Sequence, residues 1–248
     1  MSKRDEITKY SGENDYRKSP RLNYPIVQLD GDKGIFTKGY RENDEWKKME
    51  VGQSIEVIIL RVRRKLADWN TQMYSTEHNH PNNTIILYRD RQQIDKGIAK
   101  ELRQKPEYKE LKTQQILYSY LGDEMVKIQV KGSSLGSENK PKDSIPFYEY
   151  LSSFDKDEHI WEYYTRLVPK EEKKGNRRYF AISFERGEKI PEKQLDFVAE
   201  KMKVLFEAFE SEDSYNLPEK KEFSKPLRDE LPTVQVDEEE IKPEDLPF

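Results

Sequence analysis

The chain contains no cysteine in its 248 residues. That absence removes disulfides, thiolate zinc sites and cysteine nucleophiles together. No apolar run approaches the roughly 20 residues that a membrane-crossing helix needs. The opening stretch MSKRDEITKYSGENDYRKSP lacks the apolar segment of a signal peptide. The expectation is a soluble, intracellular, cytoplasmic protein with no membrane contact. Glycine is scarce, at 11 residues, and GSSLGS (132–137) lacks the lysine of a phosphate-binding P-loop. No nucleophile-elbow sequence supports serine catalysis, and carboxylates are too plentiful for one pair to stand out. Histidine occurs only at 78, 80 and 159. EHNH (77–80) spells the letters of a metal-dependent HNH nuclease. It sits in polar sequence beside Pro81 with no helix-borne second ligand evident. No catalytic residue, metal site or cofactor is therefore expected, and the chain does not read as an enzyme.

What the chain has is charge and aromatic surface. Charged residues make up 37% and apolar ones 34%, with a mean hydropathy of −1.05, which leaves room for one modest core plus polar tails. Tyrosine leads the aromatics with 15 residues. The net charge of −4 conceals an asymmetry: residues 229–248 hold eight acids against Lys242 alone, a charge of −7, which leaves +3 on residues 1–228. Like-charge blocks of this kind stay disordered and serve as interaction tails.

Along the chain, residues 1–20 read as a disordered arm. Short strand-like runs then follow: GIFTKGY (34–40), SIEVIILRVRRKLADW (54–69) and NTIILYRD (83–90). The stretch 94–112 reads as helix broken near Pro106. QQILYSYL (114–121) and MVKIQVKG (125–132) read as a hairpin across GDE. SIPFYEYLSSF (144–154) reads as a short helix capped by Ser144. HIWEYYTRLVP (159–169) and NRRYFAISFER (176–186) read as a second hairpin joined by a lysine-rich loop. In it Phe180, Ile182 and Phe184 face inward, and Arg177, Tyr179 and Ser183 outward. The stretch 191–210 is the strongest helix, with apolar residues at helical spacing from Leu195 to Phe209. The fold class is mainly β (α+β): an OB-fold-like barrel over residues 21–213 with inserted helices, a C-terminal packing helix and a disordered acidic tail at 214–248.

The chemistry on the strands points to single-stranded nucleic acid, which needs cations for phosphates and flat rings for bases. Alternation puts Phe36, Lys38 and Tyr40 on one strand face, Arg61, Arg63 and Lys65 on another, and Lys127 and Lys131 on a third. Tyr164 with Arg166, and Arg177 with Tyr179, repeat the pairing. Trp46 and Trp69 lie in polar surroundings where stacking is open to them.

The chain closes with DEEEIKPEDLPF (237–248). This segment resembles the C-terminal tip of bacterial and phage single-stranded DNA-binding proteins, which end in several acids followed by Ile or Leu, Pro and Phe. The match is strongest over the last four residues. The body is larger than the short bacterial form and is similar, in texture alone, to phage or mobile-element members. The resemblance implies protection of single-stranded DNA during replication, recombination and repair, near the nucleoid of a bacterial or phage-infected cell. It implies that Leu246, Pro247 and Phe248 dock in apolar pockets on replication and recombination enzymes, with Glu244 and Asp245 on a basic rim. The alternatives are a single-strand annealing protein and a metal-dependent nuclease.

Overall fold

The computed structural model describes residues 24–42, 45–136, 141–174 and 176–215. The chain divides into two units, Met1–Leu217 and Pro218–Phe248, and every described residue belongs to the first. The expected N-terminal arm and the acidic tail from residue 216 on, with the tip residues Glu244 to Phe248, lie outside the described residues; residues 214 and 215, expected to begin that tail, are helical.

The protein is mainly β, with an open mixed sheet and a helix at the end of the described chain. The central strand is β4 (Ile55–Asp68), which follows β1 (Ile26–Asp30), β2 (Ile35–Glu42) and β3 (Glu45–Gly52). Its first half is apolar on both faces, so it needs cover on both. Val57 and Ile59 enter one cluster with Val27, Phe36, Leu117, Ile128 and Phe184. Ile58 and Leu60 enter another with Tyr118, Val198, Leu205 and Phe209. The second cluster exists because the helix α3 (Leu195–Tyr215) lays its apolar stripe on the sheet.

β4 pairs antiparallel with β8 (Lys112–Leu121) along most of its length. A bulge between Ile59 and Arg61 inserts one residue. The bulge places Arg61 opposite Tyr118, on the face that α3 covers. β8 pairs with β9 (Glu124–Val130) across the expected hairpin. β9 then pairs with β1, in parallel, through Ile26–Lys127 and Val27–Ile128.

The other edge of β4 is shared. Residues 55–58 pair with β10 (Tyr163–Lys174), and Ala67 and Asp68 pair with β5 (Met73–Ser75). β10 forms a long hairpin with β11 (Arg177–Lys189), so most of the lysine-rich stretch expected to be a loop is strand. Residues 160–162 form a 3-10 turn instead of opening that hairpin. Ser183 is 2% exposed and not outward; its Oγ accepts the Ile145 N–H at 2.9 Å, because the chain entering α2 (Phe147–Ser152) packs there. α2 plugs the first cluster with Phe147 and Tyr150, and the Tyr150 hydroxyl meets Thr165 Oγ1 at 2.8 Å. Ser144 does not cap it: Pro146 is the N-cap, and the Ser144 hydroxyl donates to the Pro141 carbonyl.

A smaller lobe interrupts β4 and β8. It comprises β5, β6 (Thr84–Arg89), β7 (Gln92–Ile98) and α1 (Ala99–Gln104), packed around Leu66, Met73, Ile85, Leu87 and Leu102. The helix expected from residue 94 begins only at Ala99, since residues 92–98 pair with β6. It ends before Pro106, which opens a 3-10 turn.

The sheet curls back on itself at one end. The Phe180 N–H of β11 donates to the Gly31 carbonyl in the β1–β2 turn at 2.8 Å. Gly34 permits this approach. Its φ is +67°, and a Cβ there would lie 2.8 Å from the Phe180 ring.

Candidate nucleic-acid interface

At this end of the sheet lies a cleft of about 860 Å³. Its walls come from the β1–β2 turn, the end of β4, the start of β8, the end of β9 and β11. Trp69 stands at its edge, 58% exposed. A turn fixes that position. Asp68 accepts from the Thr71 hydroxyl at 2.5 Å and the Asn70 N–H at 3.1 Å, and Gln72 Nε2 donates to the Trp69 carbonyl. The Thr71 hydroxyl above all holds the Asp68 carboxyl below its ordinary pKa, so a charged cap keeps the tryptophan forward.

Lys131 Nζ lies 5.2 Å from the Trp69 ring centroid, within cation–π range. Burial lowers the Lys131 pKa. Tyr179 and Phe180 enter from β11, and Lys112, Gln114 and Gln129 complete the floor. A hydrogen bond to Glu172 is the main cause that raises the Tyr179 pKa, so the phenol stays protonated. Gln129 Nε2 donates to Gln114 Oε1 and ties β9 to β8 under the cleft.

The cleft continues past Trp69 into a side pocket lined by Lys65, Gln72 and Tyr74. Lys65 Nζ lies 4.9 Å from the Tyr74 ring, and Tyr74 stacks on Tyr88 with centroids 5.4 Å apart. Burial lowers the Lys65 pKa, opposed by the carboxylate of Glu77. The arrangement alternates flat rings with cations over several residues. That is the chemistry a single strand's bases and phosphates require.

Of the strand residues foreseen for DNA, Lys65, Lys131 and Tyr179 converge here. The others do not. Phe36 is fully buried in the first core cluster, because its face of β2 points inward. Lys38 donates to Glu124 at 2.6 Å, and Tyr40 lies away from the cleft. Arg63 is 1% exposed. Its guanidinium donates to the Glu77 carbonyl at 2.8 Å and lies 4.2 Å from the Phe209 ring centroid. Arg61 lies over Phe206 and Phe209. Lys127 Nζ is 3.7 Å from Glu77 Oε1. Arg61 and Arg63 belong to the layer between sheet and α3, and Lys127 lies over the Tyr118 ring. The Tyr164 hydroxyl donates to Gln194 Oε1. Arg166 is exposed on β10 opposite Glu56. Arg177 belongs to β11, but its side chain lies outside the described residues, as does that of Trp46.

Tyr74, Tyr88, Lys112 and Phe180 were not foreseen in this role. For Tyr74 and Tyr88 the only sequence signal is that aromatics flank the turns after β4 and β6, and nothing in the sequence pairs β5 with β6.

His78 is buried, and its N–H and C=O bond reciprocally to Arg64 at 2.9 and 2.7 Å. EHNH is thus a structural tie to β4. Among the described residues no cluster of three His, Cys, Asp or Glu side chains could hold a metal ion. Nor is any helix among them long and apolar enough to cross a membrane.

No protein-family model matches the chain, and no curated protein or solved structure matches it either.

Proposed function

We propose that this chain binds and protects single-stranded DNA in the Trp69 cleft, and recruits replication or recombination enzymes through residues 237–248. The observation that carries the reading is the exposed Trp69 ring beside Lys131 in a cleft that also gathers Tyr179 and Phe180. Rings are sequence-tolerant platforms for bases, and lysines neutralise phosphates.

The strand order supports an OB-fold-like body. Taken alone, β4, β8, β9, α2, β10 and β11 run as three strands, a helix and two strands, with the first strand paired to both the second and the fourth. β1 lies beside the third strand, in parallel, where a closing strand belongs. OB-folds bind oligonucleotides on the face of the second and third strands and with the loops after the first and fourth. The cleft draws on β8, β9 and the segment after β4. The small lobe is then an elaborated loop between the first two strands.

The segment DEEEIKPEDLPF supplies the partner-binding part of the reading through its resemblance to single-stranded DNA-binding protein tips. A titration of oligo-dT, oligo-rU and duplex DNA at two salt concentrations tests the binding part. Oligo-dT should bind tightest, with an affinity that falls steeply with salt as counterions are released. Equal affinity for duplex would refute it.

A further inference from the structure

A second pocket, of about 420 Å³, adjoins the cleft and shares Thr113 with it. Its size suits a small ligand. Arg64, Lys100 and Arg103 line it, and no carboxylate does. That is a notable bias in a chain with 48 acids. Among the described residues none of the three has an ion-pair partner. Their placement follows from the fold. Reciprocal backbone bonds to His78 fix Arg64 on β4. Lys100 and Arg103 stand three residues apart on α1, so they share a face.

Beside the polar His78, Gln104 and Thr113, the rest of the lining is suited to a flat ring. Leu66, Pro81 and Ala99 are apolar. Tyr148 is 41% exposed, and its hydroxyl accepts from Gln115 Nε2 at 2.9 Å, which holds the ring in place. The pocket therefore offers three cations beside an aromatic face. A phosphodiester carries one negative charge, whereas a phosphomonoester carries nearly two at neutral pH, and Arg and Lys match such an anion through charge-assisted hydrogen bonds.

We infer that this pocket takes the 5′-phosphate of a nucleotide, either free or at the end of a DNA strand. The choice of a nucleotide over other phosphomonoesters rests on the strand-binding reading; the anion site itself does not.

Calorimetry on the full chain tests it with dTMP, thymidine, inorganic phosphate, and oligo-dT carrying a 5′-phosphate or a 5′-hydroxyl. The variant is Lys100→Gln with Arg103→Gln, both exposed, so the fold is retained. The wild type should bind dTMP in preference to thymidine, and the variant should lose at least about tenfold. A preference for 5′-phosphorylated oligo-dT that the variant loses assigns the strand end. Binding of dTMP without that preference assigns the free nucleotide. Equal dTMP affinity in wild type and variant would overturn the site, and equal affinity for inorganic phosphate and dTMP would overturn the nucleotide. The strand-binding reading fails separately, if the wild type ignores 5′-hydroxyl oligo-dT while dTMP binding stands.

Discussion

The Arg63 guanidinium lies 4.2 Å from the centroid of Phe209. A strand arginine that alternation marks as surface is thereby sealed beneath a helix, with its charge held against the ring and the Glu77 carbonyl. The basic stripe of β4 is split in use: Arg61 and Arg63 hold α3 to the sheet, and Lys65 reaches the cleft.

Arg63→Ala should therefore act on folding. Removing one member of a buried polar group costs about 3 kcal/mol. Arg63→Met should cost less, since an apolar chain of similar length still packs on Phe209. Urea unfolding measures both. Oligo-dT affinity per folded molecule should stay unchanged, and a selective loss of affinity without loss of stability would contradict the assignment.

Gly34→Ala should destabilise by about 1–2 kcal/mol from the left-handed backbone alone, with a further cost from the Phe180 ring 2.8 Å away. Since Phe180 lines the cleft, oligo-dT binding should weaken together with stability. Chemical denaturation and a binding titration of the same variant check both effects; wild-type behaviour in either would mean that the turn tolerates a side chain.

Much of this was legible in the sequence. The β8–β9 hairpin and the helix over 195–209 follow from periodicity, because each buries one face locally. The phase of β4 was readable up to Ile59. Past it the bulge and the docking of α3, some 140 residues away, decide which arginines are buried, and no local pattern encodes that. The cleft was legible in part. Lys65, Lys131, Trp69 and Tyr179 stand out by type, whereas Tyr74 and Tyr88 become neighbours only through β5–β6 pairing. Residues 94–98 depart from the helical expectation because a weak helical pattern yields to pairing with β6.

Binding should depend on pH through Lys65 and Lys131. Burial lowers both pKa values, so each loses its charge at a lower pH than an exposed lysine does. Oligo-dT affinity should fall as pH rises toward the ordinary lysine value, and Lys131→Met should flatten that fall. Stability runs the other way. Between the lowered folded value and the ordinary unfolded one, the unfolded chain holds more protons, so these lysines add stability as pH rises. Parallel titrations of binding and unfolding read the two opposite slopes, and an affinity that is flat up to the ordinary lysine value would contradict the role of these two residues.

Deleting residues 229–248 should leave oligo-dT binding equal or tighter while abolishing capture of a replication or recombination enzyme. The acidic segment carries −7 against +3 on residues 1–228, so its removal takes away charge that repels a phosphate backbone. The gain should shrink at high salt through screening. Phe248→Ala keeps the charge, so it should leave DNA binding unchanged yet lose the enzyme. Affinity measurements and pull-downs with the three proteins separate these effects, and identical partner sets would remove the recruiting role.

The most direct measurement is the affinity of Trp69→Ala for oligo-dT at low salt, beside its stability in urea. Trp69 is exposed, so its truncation should leave the unfolding midpoint close to wild type. The lost stacking should weaken binding by about 1–3 kcal/mol, roughly fivefold to over a hundredfold. Unchanged affinity with an intact fold would contradict the account, because the strand would then lie elsewhere than in this cleft.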